Sequence, residues 1–157
     1  MRIDYFQLID RIVAFDPAAR TLSAEAIVPT ESTIFEGHFP GYPIMPGVLL
    51  IEAMAQTAGW LVIGLTHFDR MPFLAAVKDA KLRSFVSPGE HLSLSATLTH
   101  QGSGYAMVEA RTLAAGKPVC NAQITFRVLE FPNPSFRIHM EAMADKLQFP
   151  KGALAHG

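Results

Sequence analysis

From Val48 to Leu65 the chain runs through apolar residues almost without a break, with only Glu52, Gln56 and Thr57 as polar side chains. A helix that is apolar on every side must be enclosed on every side. A bilayer is one such enclosure, and the run is long enough to span it. Its three polar residues all fall within its first ten positions, however, and a charge deep in a membrane is costly. The other enclosure is a sheet wrapped around the helix. The rest of the chain supplies one, so the expectation is a fully buried helix and no membrane span.

The wrapping is written in period two. His91 to Thr99 alternates strictly, with Leu92, Leu94, Ala96 and Leu98 on one face and His91, Ser93, Ser95 and Thr97 on the other. Val119 to Glu130 does the same, turning Cys120, Ala122, Ile124, Phe126 and Val128 inward. Further strands are expected at Arg11–Phe15, Thr21–Val28, Leu74–Phe85 and Ala106–Leu113. Turns are marked by Asp16-Pro17-Ala18-Ala19, Ser87-Pro88-Gly89, Gly102-Ser103-Gly104 and Ala115-Gly116-Lys117. Asp4 to Leu8 reads as a short amphipathic stretch, and Pro29 to Gly47 as a rigid, irregular passage dense in Pro and Gly. The simplest architecture for this order is α+β, an antiparallel sheet of five to six strands around one long central helix. Residues 1–132 form the expected domain. Residues 133–157 form a C-terminal extension, with a short helix near Arg137–Leu147 and a frayed end.

Composition narrows the function. Half the residues are hydrophobic and only 17% are charged, which suggests apolar surface hidden by self-association or by a greasy ligand. The formal net charge is −1, without a basic block, which argues against nucleic acid or an anionic membrane as partner. A single cysteine, Cys120, excludes an internal disulfide framework and a cysteine-based zinc site, and the six histidines are scattered. Met1-Arg2-Ile3-Asp4-Tyr5 lacks the long apolar region of a signal peptide, so the cytoplasm is the expected compartment.

The chemistry sits in Phe35-Glu36-Gly37-His38-Phe39-Pro40-Gly41-Tyr42-Pro43-Ile44-Met45-Pro46-Gly47-Val48, continuing through Glu52 to Ala55-Gln56. Gly and Pro stiffen the path around His38, so its ring can be held in one orientation. Glu52 lies about one and a half turns into the helix, with Gln56 a turn further on the same face. Ala55 and Gly59 share that face and leave room beside the carboxyl group. A carboxyl in apolar surroundings is disposed to act as a proton donor, and a histidine beside it suits general acid–base work. The helix opens at Met45-Pro46-Gly47 without a capping side chain, so its first N–H groups are available to a ligand oxygen. Gly47 lets a ligand approach closely, and a thioester carbonyl there would have its developing enolate stabilised.

The same block resembles the signature of FabZ-type (3R)-hydroxyacyl-acyl-carrier-protein dehydratases: Gly37-His38-Phe39-Pro40-Gly41, then Pro43-Ile44-Met45-Pro46-Gly47-Val48-Leu49, then Glu52-Ala53-Met54-Ala55-Gln56. Phe6 to Ile12, Lys81-Leu82-Arg83 and Val86 to Glu90 extend the resemblance over roughly the first four-fifths of the chain. It implies a hotdog fold and a lyase that dehydrates 3-hydroxyacyl thioesters on acyl carrier protein. His38 would remove the α-proton, Glu52 would protonate the departing hydroxyl, and the Gly47 N–H would hold the thioester carbonyl. Gln56 would orient Glu52 or a water, with Phe39 supporting. The resemblance also implies a homodimer whose sites are shared, His38 of one subunit facing Glu52 of the other, with a trimer of dimers left open. The acyl chain would run into an apolar tunnel, with no metal and no organic cofactor. Glutamate rather than aspartate at position 52 argues against the dehydratase–isomerase branch, and the Asp-x-Asn-x-x-His pattern of the hydratase branch is absent.

Plainer roles stand beside these. His38 could be a turn histidine bound to backbone, Glu52 a buried partner of Arg83, Gln56 a donor to nearby backbone, and Gly47 a close-packing glycine. A hotdog thioesterase using Glu52 to activate water, or a non-catalytic acyl-carrier-protein binding module, are the competing functions. Acyl chain length is not written in the sequence. The tail beyond about Phe131, which short family members lack, bears on substrate choice if it borders the tunnel mouth or the dimer seam.

Overall fold

The computed structural model describes residues 1–156, with His156 by its backbone alone; Gly157, at the end of the expected extension, lies outside the described residues. The strands are β1 (Arg11–Asp16), β2 (Thr21–Ile27), β3 (Met71–Leu82), β4 (His91–Gly102), β5 (Tyr105–Ala114) and β6 (Lys117–Leu129). The helices are α1 (Thr33–Gly37), α2 (Gly47–Leu65) and α3 (Pro134–Lys146), with 3₁₀ turns at Ile3–Tyr5 and Lys151–His156. The strands form one antiparallel sheet of six in the order β1-β2-β4-β5-β6-β3.

Five of the strands close on α2. Twelve of its 19 residues are buried, which answers the enclosure problem with protein. The inward residues of β4 and β6 meet it: Leu92, Leu94, Ala96, Leu98, Cys120, Ala122, Ile124 and Phe126 are all buried. Burial also pushes the Cys120 thiol up from its ordinary range, against a weaker pull from the Thr112 hydroxyl. The result is the α+β hotdog arrangement, with six strands.

Three elements differ from the sequence-based expectation. The Pro29–Gly47 passage contains α1, because the Ser32 hydroxyl caps it by accepting the Ile34 N–H and Phe35 is buried. β3 runs Met71–Leu82 rather than Leu74–Phe85; beyond it, the Arg83 N–H still reaches the Val119 carbonyl at 2.7 Å. α3 starts at Pro134, since Asn133 accepts the Phe136 N–H at 2.8 Å and proline suits the first helical position.

The C-terminal residues after α3 turn back onto the core. The Leu147 carbonyl accepts the Ile12 N–H at 2.8 Å. Phe149 is buried among Phe15, Trp60 and Phe68, with ring centroids 5.2, 6.4 and 5.3 Å away. It occupies space beside Gly64 that any side chain there would fill. The expected frayed end thus gives way to an anchored Phe149, followed by the 3₁₀ turn.

Candidate active site

His38 closes α1, its N–H donating to the Ile34 carbonyl at 3.0 Å. The next residues turn back on themselves: Phe39 and Tyr42 exchange backbone hydrogen bonds of 3.0 and 2.9 Å, and Gly41 takes a φ of 75°. The return brings Ile44 beside His38, where its N–H donates to the His38 carbonyl at 3.0 Å and its own carbonyl lies 3.0 Å from Nδ1. A carbonyl only accepts, so Nδ1 carries the proton and Nε2 is left with its lone pair. Phe39 stacks on the ring at 4.1 Å between centroids and 26° between planes. His38 therefore makes the backbone contact of a turn histidine, and that contact is what frees Nε2.

Gly47 is the first residue of α2. Pro46 precedes it without a capping side chain, and the Pro46 carbonyl accepts from both Leu49 and Leu50. Among the described residues no acceptor takes the Gly47 N–H. A Cβ at this position would run into Leu82, so Gly47 is a close-packing glycine as well as an open donor. His38 and Gly47 line one cavity of about 650 Å³, together with Phe39, Met45, Leu82 and Phe85.

Glu52 lies elsewhere. Along with Ala55, Gln56, Gly59 and Trp60 it lines a second cavity of about 270 Å³, walled by Pro72 and Leu74 of β3 and by Met140 and Met143 of α3. Gln56 is held at both ends of its amide: Nε2 donates to the Phe6 carbonyl at 2.8 Å and to Glu52 Oε1 at 3.3 Å, while Oε1 accepts the Leu8 N–H at 3.1 Å. It serves nearby backbone and steadies Glu52 at once. Arg83 does not pair with Glu52; its Nε donates to Asn121 Oδ1 at 3.0 Å. Among the described residues no three His, Cys, Asp or Glu side chains gather as a metal site.

The chain thus carries two half-sites. One holds His38 and the open Gly47 N–H, the other Glu52 and the Gln56 bonded to it, and among the described residues none lines both cavities. Sequence reasoning missed the N-terminal segment that clamps Gln56 and the methionines that α3 sends into the Glu52 cavity. Met143 falls within the tail helix expected near Arg137–Leu147, but its destination left no trace in the sequence.

Comparison with known proteins matches residues 2–123 to the FabA-like domain. The chain is 36% identical over 126 residues to the 3-hydroxyacyl-(acyl-carrier-protein) dehydratase FabZ of Chloroflexus aggregans, covering 80% of this chain and 87% of the relative. It is 37% identical over 121 residues to the enzyme of the same name from Lactiplantibacillus plantarum, covering 76% and 82%. Among solved structures, a hypothetical thioesterase with coenzyme A from Streptococcus pneumoniae TIGR4 superposes with a TM-score of 0.61 over 78% of this chain and 90% of that one, at 15% identity. At that identity the likeness is one of fold.

Proposed function

The chain belongs to the FabA-like domain family, and we propose that it dehydrates (3R)-hydroxyacyl thioesters borne on acyl carrier protein to trans-2-enoyl thioesters, in fatty acid or related lipid biosynthesis. His38 Nε2 takes the proton from C2. The electron pair moves into the thioester carbonyl, whose oxygen is held by the Gly47 N–H at the positive end of α2. Glu52 gives its proton to the C3 hydroxyl, the C–O bond breaks and water leaves. The C2=C3 double bond forms, and proton return from His38 to Glu52 through water resets the pair. Gln56 keeps Glu52 aimed; Phe39 keeps the imidazole ring flat against one face. Residues 1–132 carry this chemistry and residues 133–157 are an extension of it, at work in the cytoplasm.

The observation that carries this reading is that the two half-sites lie at opposite ends of β3. Met71, Pro72 and Leu74 at its start line the Glu52 cavity, while Leu82 at its end, followed by Arg83, Ser84 and Phe85, lines the His38 cavity. β3 is an edge strand, exposed from Phe73 to Leu82, with Leu74, Val77 and Leu82 bare. An unpaired edge strand with bare apolar side chains among its charged ones, Lys78, Asp79 and Lys81, can take a second strand. Two copies related by a two-fold axis pair such strands antiparallel, which brings the start of one β3 to the end of the other. Each Glu52 cavity then meets the His38 cavity of its partner. The proposed working unit is a homodimer with two shared sites, and dimers are free to assemble further.

Purified protein given a (3R)-hydroxyacyl-acyl-carrier-protein substrate is expected to yield the trans-2-enoyl product without releasing free thiol. His38→Ala and Glu52→Gln are each expected to lower kcat/KM by about a thousandfold. Thiol release with no enoyl product would instead mark a thioesterase and end the dehydratase reading.

A further inference from the structure

The Glu52 cavity extends well past the group that does chemistry in it. Glu52, Ala55, Gly59 and Ile63 line it as a stripe along α2, and at the helical rise that stripe covers ~16 Å. Beyond Gln56 its walls are hydrocarbon, aromatic or thioether: Trp60, Ile63, Met71, Phe126, Met140 and Met143. A slot with an acid at one end and apolar walls along the rest fits a ligand that reacts at one end and is hydrocarbon thereafter.

The α3 wall lies beyond the stretch matched by the family, residues 2–123. It is also fixed in place. Ala144 is fully buried, the Leu147 carbonyl holds the Ile12 N–H, and the Phe149 ring is seated beside Gly64. Met140 and Met143 are half-buried and packed against the core. Methionine fills irregular space well, and trimming it opens volume.

We infer that Met140 and Met143 of the C-terminal helix set the acyl-chain length this enzyme accepts, by limiting the volume of the Glu52 cavity. The inference rests on the dehydratase reading for its substrate class. A longer chain needs more apolar volume, and each methylene without room forfeits its transfer free energy. Shortening the two methionines therefore admits longer chains, and enlarging one of them excludes chains now accepted.

The test compares wild type with Met140→Ala, Met143→Ala, the double alanine variant and Met140→Phe, each checked for folding by circular dichroism. The readout is the ratio of kcat/KM on (3R)-hydroxypalmitoyl- to (3R)-hydroxybutyryl-acyl carrier protein. That ratio is expected to rise about tenfold in the double alanine variant and to fall about tenfold in Met140→Phe. A second readout needs no turnover. Trp60, the chain's one tryptophan, lines the same cavity, so its fluorescence follows titration with non-cleavable acyl-pantetheine thioethers of graded length. The length giving tightest binding is expected to shift in the same directions. If dehydration proceeds but neither readout moves in any folded variant, the inference is overturned and the dehydratase reading survives. If no substrate is dehydrated yet Trp60 titrations shift with length, the dehydratase reading falls and the role of α3 in measuring the chain stands.

Discussion

The ring of His38 is committed on one side and open on the other. The Ile44 carbonyl fixes its Nδ1 proton, and Nε2 is the nitrogen left to act. Glu52 accepts a hydrogen bond from Gln56, which in turn is gripped by Phe6 and Leu8. Gln56→Ala is expected to lower kcat roughly tenfold to a hundredfold with little change in KM, because the acid loses its aim rather than the substrate its seat. The same change strands the Leu8 N–H and costs about 1–3 kcal/mol of stability in urea denaturation. A fall in KM-derived binding with kcat intact would contradict the positioning role. The proposed reacting groups stood out in the sequence because rare residues stand in emphatic settings: a histidine in a Gly/Pro-stiffened loop, a carboxylate on an apolar helix. The Phe6–Gln56–Leu8 clamp did not, since one glutamine bonding to backbone nearly fifty positions away leaves no periodic trace.

Among the elements, β4 and β6 were readable residue by residue, since each has one face on α2 and one outward, and alternation records that division. β3 defeats the same reasoning. It lies at the sheet edge, breaks register between Leu74 and Ala76 and again between Lys78 and Lys81, and carries apolar residues on exposed positions. The start of α3 is written in Asn133-Pro134, a cap followed by a favoured first residue, three residues before the expected start near Arg137. No local pattern announces that Phe149, after the helix, is its anchor; only the space beside Gly64 explains it. Phe149→Ala removes that anchor from a four-ring cluster. It is expected to destabilise the fold by about 3 kcal/mol and lower Tm by roughly 10 °C. A calorimetric Tm within a degree or two of wild type would show that the ring bears no weight.

At the scale of the whole molecule, the proposed base and acid of the single chain line separate cavities. Mixing His38→Ala and Glu52→Gln subunits, unfolded and refolded together, tests whether the two meet across copies. Each mixed dimer would hold one intact site and one doubly altered one, so a statistical mixture should recover about a quarter of wild-type turnover from two nearly dead proteins. Recovery no greater than the sum of the two parents would mean that each chain builds its own site. The ring of Phe149 beside Gly64 also has a genetic consequence. The residues proposed to move protons are encoded between codons 38 and 56, whereas the two methionines of the Glu52 cavity are encoded at codons 140 and 143 and their helix is fastened by codon 149. On the proposed reading, exchanging only the segment after β6 would alter which chain lengths are accepted while leaving the proton-transferring residues unchanged.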